Sequence, residues 1–348
     1  MLRAMDSAVA GLRAHQNKLD VIGHNLANVN TAGYKSQSYL FKEAMYQTST
    51  NSTSGSGSSG GSGGVNAAQY GYGTMMGSIW VDMAASTPTQ MGGLTATIDG
   101  EGFFMTMSTV SNGIAATGAT ASDAIKGADF QYTRVGQFKI DSDGFLVDSN
   151  SNNYIYGFQP QLNANATPPV TCLNATEFDK NQLRPIRVCM EDGTINLTAD
   201  GDTIALAKSV KIDSEGKIIV GIEKEEQILD ANGQPAVDAN GNPIMRTVIK
   251  EATIGQVAVA TFQNQEGLTK AGGSYYTSSR GDNSGICQAS APGAGGAAAL
   301  ITGYVEASNV DMAKEFSELI TTQRGFQANT KMITVSDQIL EELVNMKR

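Results

Sequence analysis

Hydrophobic residues recur every seven positions through the N-terminal segment of the chain. Two such rows lie three residues apart: Met5, Leu12, Leu19 and Leu26, and Ala8, His15, Ile22 and Val29. Alternating spacings of three and four place both rows on one face of an α-helix, as in a coiled-coil seam. The pattern ends at residues 28–33, where Asn and Gly are typical of helix termination.

The C-terminal segment carries a matching pattern. Its first row is Leu319, Phe326, Ile333 and Leu340, and its companion row, which is polar in the middle, is Phe316, Gln323, Thr330, Asp337 and Val344. Ser308 and Asp311 have the spacing of a capping box and predict a helix that begins near residues 308–309. The segments 1–35 and 305–348 are therefore predicted to pair as one helical domain.

Two interpretations of this pair are open, because a long helix with a narrow apolar stripe is only marginally stable alone. The helices close a monomer as a two-stranded coiled coil, or they fray in the monomer and order only among neighbouring subunits. The polar middle of the C-terminal row favours the second interpretation. The predicted self-assembly residues are Met5, Leu12, Leu19, Ile22, Leu26, Val29, Phe316, Leu319, Phe326, Ile333, Leu340 and Val344.

Between the helices, alternating apolar and polar residues predict short strands separated by turns, so the fold class is α+β and mainly β. Residues 36–70 are predicted to form a linking arm. Within it, the stretch 51–64 has no charged and no apolar residue, and this composition predicts a flexible linker or an adaptable assembly contact. Residues 71–159 and 254–304 predict a β-rich core domain. Residues 160–253 predict an inserted outer domain, with turns at two Asp-Ala-Asn-Gly repeats, 230–235 and 238–243.

The composition offers little for catalysis or nucleic-acid binding. The net charge of -10 argues against nucleic acid, which requires a basic surface. No apolar run reaches the roughly 18 residues of a membrane span, and Asp6, Ser7 and Gly11 interrupt any secretory signal. No nucleophile motif, phosphate loop or metal cluster is present in the sequence, so we predict no catalytic, cofactor or metal site.

Two weaker signals have simple interpretations. Residues 141–144 read Asp-Ser-Asp-Gly, and a hairpin turn fits them better than a calcium loop, because position 12 of the loop is Asn152 rather than Glu. The three cysteines, Cys172, Cys189 and Cys287, permit one disulfide or three buried thiols.

Four groups of residues resemble the flagellar axial proteins of bacteria, and the hook protein most. The first covers 10–16 and 19–35, the second 98–104 and 132–138, the third 254–262 and 266–268, and the fourth 305–316 with 320 and 323–329. His24 and Leu26 stand where the family usually has Asn and Ile. The motif residues are Asn25, Ala27, Asn28, Thr31, Gly33, Lys35, Gly102, Phe103, Phe104, Ser308, Asn309, Val310 and Asp311.

The resemblance implies nested, discontinuous domains with the terminal helices innermost, lining a tube. It implies a structural subunit of the curved hook, a homopolymer at the cell exterior that joins rod to filament and transmits torque. Such subunits leave through the flagellar export apparatus without a cleaved signal peptide, assemble beneath a hook cap, and meet rod and hook–filament junction proteins.

Two alternatives to the hook remain open. One is the distal rod protein of the basal body, which shares the terminal motifs and typically lacks an insertion like 160–253. The other is a secreted β-rich adhesin with a coiled-coil stalk.

Overall fold

The computed structural model describes residues 2–55, 63–111, 113–116, 121–161, 177–188, 194–196, 203–227 and 245–346. The two predicted repeats at 230–243 and the cysteines Cys172 and Cys189 lie outside these ranges.

The described residues form three α-helices and twenty-three strands, numbered here in chain order. The helices are α1 (Leu2–Ala27), α2 (Ala121–Gly127) and α3 (Met312–Met346). The strands are β1 (Gln37–Glu43), β2 (Tyr46–Thr50), β3 (Ala68–Gly71), β4 (Thr74–Val81), β5 (Pro88–Gln90), β6 (Ala96–Ile98), β7 (Phe103–Met107), β8 (Ile114–Ala115), β9 (Gln131–Thr133), β10 (Phe138–Ile140), β11 (Leu146–Asp148), β12 (Tyr154–Phe158), β13 (Gln182–Pro185), β14 (Thr194–Asn196), β15 (Thr203–Ile212), β16 (Lys217–Gln227), β17 (Met245–Val257), β18 (Val259–Phe262), β19 (Thr269–Gly272), β20 (Tyr275–Thr277), β21 (Cys287–Ser290), β22 (Leu300–Thr302) and β23 (Tyr304–Glu306).

The chain divides into two compact units. The helical unit comprises Met1–Thr31, Lys35–Met83 and Ser308–Arg348, and the β unit comprises Ala32–Tyr34 and Ala84–Ala307. The terminal helices pack together in the first unit and strands dominate the second, so the predicted α+β, mainly β class is confirmed.

The helix ends follow from local hydrogen bonding. α1 stops where predicted, and Asn28 donates its backbone N–H to the carbonyl of His24. α3 begins three residues later than predicted, because the cap is Asp311 rather than Ser308. The Asp311 carboxylate accepts the N–H of Ala313 at 2.9 Å and that of Lys314 at 3.3 Å, which satisfies two free amides of the first turn.

The described strands between residues 37 and 81 form a two-stranded antiparallel ribbon, which includes strands of the predicted linking arm and extends past its predicted end at residue 70. Strand β1 pairs with β4, and β2 pairs with β3 further along. A bulge between Leu40 and Phe41 interrupts the register of the first pair. Thr53 and Val65 still bridge beyond β2 and β3, whereas residues 56–62 of the Gly/Ser stretch lie outside the described chain.

The β unit contains one large branched sheet whose main path runs β14-β15-β16-β17-β12-β7-β9-β20-β19. The hairpin predicted at residues 141–144 is confirmed, since Asp141 donates its N–H to Phe145 and β10 pairs with β11. Strands β15–β17 from the predicted insertion join the same sheet through the β17–β12 pair. The division of this unit into a core and an outer domain stays a prediction.

Candidate assembly site

α1 and α3 pack against each other in antiparallel orientation. Lys18 Nζ lies 3.0 Å from Glu318 Oε2, and Gly11 faces Asn329. Residue numbers therefore fall along α3 as they rise along α1. Because α1 begins at Leu2, the part of α3 beyond about residue 338 extends past the end of its partner helix.

A glycine lets the two helices approach closely around His15. A Cβ on Gly325 would lie 2.7 Å from His15 Cε1, closer than real side chains pack. The imidazole also contacts the Phe41 ring, with centroids 5.3 Å apart, and its Nδ1 has no hydrogen-bond partner among the described residues. Burial, and then the positive charge of Lys18, lower the pKa of His15, so the interface favours the neutral ring.

The first predicted row of α3 lies on the side that faces α1 as far as Ile333, whereas Leu340 lies beyond the end of α1. The buried companion row is displaced by one residue from the predicted one. Leu319, Phe326, Ile333 and Leu340 are half-buried. The residues of α3 that are buried are smaller or polar, and none belongs to the predicted companion row: Glu315, Thr322 and Ser336. By contrast, Phe316 is 45% exposed and Val344 is 66% exposed.

The hydroxyl groups of this buried row need no partner from α1. Thr322 donates its hydroxyl to the carbonyl of Glu318 at 2.6 Å, and Ser336 donates to the carbonyl of Met332 at 2.8 Å. Satisfied within their own helix, these small side chains can be buried at a close helix contact without an unpaired polar group.

The predicted rows of α1 face the interior of the helical unit. Ile22 is buried, and half-buried with it are Met5, Leu12, Leu19, Leu26 and Val29. The rows missed Ala14 and Val21, which are also buried. The buried stripe is wider than a coiled-coil seam because α1 packs against β1 and β4 as well as α3.

Asn25 joins three elements of the helical unit and is fully buried. Its amide nitrogen donates to the carbonyl of Gln37 at 2.7 Å and to the Glu315 carboxylate at 3.0 Å. The Gln37 N–H donates back to the Asn25 oxygen at 2.9 Å. Burial raises the pKa of Glu315, and the hydrogen bond from Asn25 opposes that rise.

Two further motif asparagines have comparable structural roles. The Asn309 side chain accepts the N–H of Ser36 at 2.7 Å and donates to the carbonyl of Asp82 at 2.9 Å. Ala27 is the last residue of α1, and Asn28 follows it directly. The side-chain oxygen of Asn28 accepts a hydrogen bond from the Thr31 hydroxyl at 3.1 Å. Of the other predicted motif residues, Lys35 is fully buried, and Ser308 and Val310 are half-buried.

Position 33 requires glycine for two reasons, the backbone conformation and the lack of space for a side chain. Its φ is +65°, and a Cβ there would lie 2.8 Å from the side chain of Val135. Its N–H donates to the carbonyl of Glu306 at 2.9 Å. This contact belongs to the β unit, to which Ala32–Tyr34 contributes although the chain on both sides belongs to the helical unit.

The same part of the β unit holds a buried ion pair. Arg134 Nε lies 2.9 Å from Glu306 Oε2, and both side chains are excluded from solvent. The Arg134 guanidinium also stacks on Phe103, 5.6 Å from the ring centroid. Phe103 and Phe104 are fully buried, and Gly102 has φ +134° where a Cβ would collide with Val259. The motif residues of this unit therefore build its core.

α3 carries exposed large apolar residues that the seven-residue pattern missed. They are Met312, Ile320, Met332, Val335, Ile339, Leu343 and Met346, and they are exposed like Phe316 and Val344, which the pattern did include. Spacings of four residues relate several of them, which is the signal that could have found them. The ribbon adds Leu40, Met75 and Trp80, also exposed and also unpredicted. Exposed apolar clusters of this kind mark surfaces for other proteins.

Burial and local hydrogen bonds shift the pKa values of two titratable groups in the β unit, Cys287 and Asp282. Burial raises the pKa of the Cys287 thiol to about 12, and this cysteine is free. Although burial opposes it, hydrogen bonds from Lys126 and Ser284 hold the pKa of Asp282 at about 2. Among the described residues, no cluster of His, Cys, Asp and Glu could hold a metal ion, and no described helix is long and apolar enough to cross a membrane.

The terminal segments match two family models. Residues 5–35 match the flagella basal body rod protein family, and residues 301–346 match the C-terminal region of flagellar basal body rod FlgEFG proteins. These are the segments that form α1 with its following turn, and α3 with the strand before it.

Relatives extend the match over the whole chain. The flagellar basal-body rod protein FlgG of Bacillus subtilis (strain 168) is 35% identical over 350 positions, covering 100% of both chains. The flagellar hook protein FlgE of Borreliella burgdorferi is 25% identical over 470 positions, again covering 100% of both. The hook protein FlgE of Caulobacter vibrioides is 50% identical over 95 residues, 27% of this chain and 16% of that one.

The paired terminal helices, together with the match of their segments to flagellar rod and hook proteins, define a structural protein. The chain belongs to the flagellar rod and hook axial protein family. It is a structural component of the bacterial flagellar basal body or hook, in a family whose subunits polymerise.

Proposed function

We propose that this chain is the subunit of the distal rod of the flagellar basal body and polymerises with copies of itself into a torque-bearing tube. The similarity to the rod protein of Bacillus subtilis supports this, because it extends over both whole chains at 35% identity, whereas the hook protein of Borreliella burgdorferi is 25% identical over both whole chains.

The observation that carries self-assembly is the exposed apolar surface of α3. Phe316 and Val344 occupy positions of the heptad pattern yet remain exposed in the single chain. Large apolar side chains at such positions gain free energy when another subunit covers them. We place the predicted assembly stripe accordingly: Leu319, Phe326 and Ile333 meet the chain's own α1, whereas Phe316, Val344 and Leu340, which lies beyond the end of α1, meet other copies.

The hook subunit is the second candidate. The 50% identity to a hook protein over 95 residues favours it, as does the Gly/Ser-rich stretch within 51–64, since a hook must bend. Either assignment carries the same associated proposals. The subunit leaves through the flagellar export apparatus without a cleaved signal peptide and assembles at the cell exterior, where it contacts a cap and the neighbouring rod or hook–filament junction proteins.

Deletion of the gene separates the two candidates, because the rod is built before the hook. Basal bodies from the deletion strain are examined by cryo-electron tomography. For a distal rod subunit, we expect truncated rods and no hook, and complementation restores both. Complete rods that lack only the hook would instead assign the chain to the hook.

Self-assembly itself is tested with purified protein. Removal of residues 311–348 should abolish tubes seen by negative-stain electron microscopy while the β unit keeps its far-ultraviolet circular dichroism. Undiminished polymers from the truncated chain would refute assembly through α3.

A further inference from the structure

The exposed apolar residues of α3 form two separate ridges. The N-terminal ridge is Met312, Phe316 and Ile320, and the C-terminal ridge is Val335, Ile339 and Leu343. Each consists of three residues spaced by four, and all six side chains are between 42% and 50% exposed. Rows of this spacing are the ridges that interdigitate when two helices pack.

The two ridges face different directions. At about 100° per residue, the middle residues Phe316 and Ile339 point about 140° apart around the helix axis, and they are roughly 34 Å apart along it. Neither faces α1, whose contact row on α3 includes Thr322 and Ser336. The C-terminal ridge in addition lies beyond or at the end of α1, so its own partner helix offers it little cover.

This arrangement suits an open polymer. A surface that pairs with itself closes a dimer, whereas a chain of subunits needs two different surfaces that fit each other. We infer that the C-terminal ridge of one copy docks on the N-terminal ridge of the next copy. The inference rests on the proposed self-polymerising function and names the two halves of one contact.

Charge at the ridge ends gives the contact a direction. Arg324 continues the N-terminal ridge one step after Ile320, and Glu342 precedes Leu343 at the end of the C-terminal ridge; both are exposed. When the α3 helices of two copies run parallel, these opposite charges fall at the same end of the contact. Antiparallel helices would separate them by the length of a ridge.

Two single variants, each with one ridge disabled, test the pairing. Phe316→Asp disables the N-terminal ridge and Leu343→Asp the C-terminal ridge, while Ser317→Asp and Gln338→Asp add the same charge to exposed positions outside both ridges. Circular dichroism checks that each variant is folded. Sedimentation velocity then measures the oligomeric state of each variant alone and of an equimolar mixture.

We expect each ridge variant to be monomeric alone and the mixture to form a one-to-one dimer that grows no further, because only one intact contact remains. The two control variants should polymerise like the wild type. A ridge variant that dimerises alone would show that a ridge pairs with itself and would overturn the inference. A mixture that stays monomeric while the wild type polymerises would also overturn it, but would leave self-assembly standing. Wild-type protein that never polymerises contradicts both proposals.

A charge reversal provides a second measurement that leaves the apolar ridges intact. Arg324→Glu should raise the critical concentration for polymerisation several-fold, and adding Glu342→Arg should restore it. Absence of restoration would overturn the parallel alignment.

Discussion

Asn25→Ala should destabilise the helical unit more than a typical helix-surface substitution. The change removes three hydrogen bonds at a fully buried site and leaves both backbone groups of Gln37 and the Glu315 carboxylate without them. At about 1 kcal/mol for each of the three bonds, we expect a loss of about 3 kcal/mol.

Urea denaturation followed by circular dichroism at 222 nm measures this loss, because α1 and α3 contribute most of the helical residues in the described chain. With a slope near 2 kcal/mol per molar urea, the midpoint should fall by about 1.5 M. Asn17→Ala is the matched control, since Asn17 lies on the same helix and is exposed. It carries the same gain in helix propensity without the buried bonds.

Asn25→Asp distinguishes hydrogen bonding from simple loss of volume. It keeps the size of the side chain but places a second carboxyl group beside Glu315, so it should destabilise strongly at neutral pH and less at pH 4, where one carboxyl is protonated. If Asn25→Ala costs less than about 1 kcal/mol relative to Asn17→Ala, the assignment of Asn25 as the link between α1, β1 and α3 is wrong.

Three further predictions concern the cap, the buried imidazole and the buried ion pair. Asp311→Ala should cost about 1 kcal/mol in the same urea assay, since it removes the α3 cap; an unchanged midpoint would return the cap to Ser308. The pKa of His15 is lower folded than unfolded, so stability should be lost as pH falls below 6.5, where the unfolded chain takes up the proton first; His15→Gln should remove that part of the pH dependence, and an identical pH profile would contradict it. Arg134→Leu should cost about 3 kcal/mol by calorimetry, because it removes the buried positive charge beside the Glu306 carboxylate, which keeps the N–H of Ser86; adding Glu306→Leu should recover part of the loss, and an additive double variant would argue against direct pairing.

The seven-residue pattern predicted the helices and one row of their contact, but it displaced the second row. A hydrophobicity pattern selects large apolar residues, and so it selected Phe316 and Val344. The buried row consists instead of residues such as Thr322 and Ser336, whose hydroxyls bond within α3. Close helix packing needs small side chains there, and small polar residues give no apolar signal.

Short-range signals predicted hairpins better than they predicted the sheet. The turn at residues 141–144 depends on adjacent residues and was found correctly. The neighbours of β7, which are β9, β12 and β18, depend on contacts between distant segments that no local pattern encodes. Likewise, Asn25 was recognised as a motif residue, but its partner Glu315 lies 290 positions away.

That separation also has a kinetic consequence. Joining Asn25 to Glu315 closes a loop of 290 residues, for which the entropy of closure is about 5 kcal/mol beyond that of the shortest loops. A chain that emerges N-terminus first, from a ribosome or from a narrow channel, carries α1 for most of its passage without α3. The helical unit is therefore the last part of the molecule to fold, and an apolar α1 stripe awaits its partner until the final residues arrive.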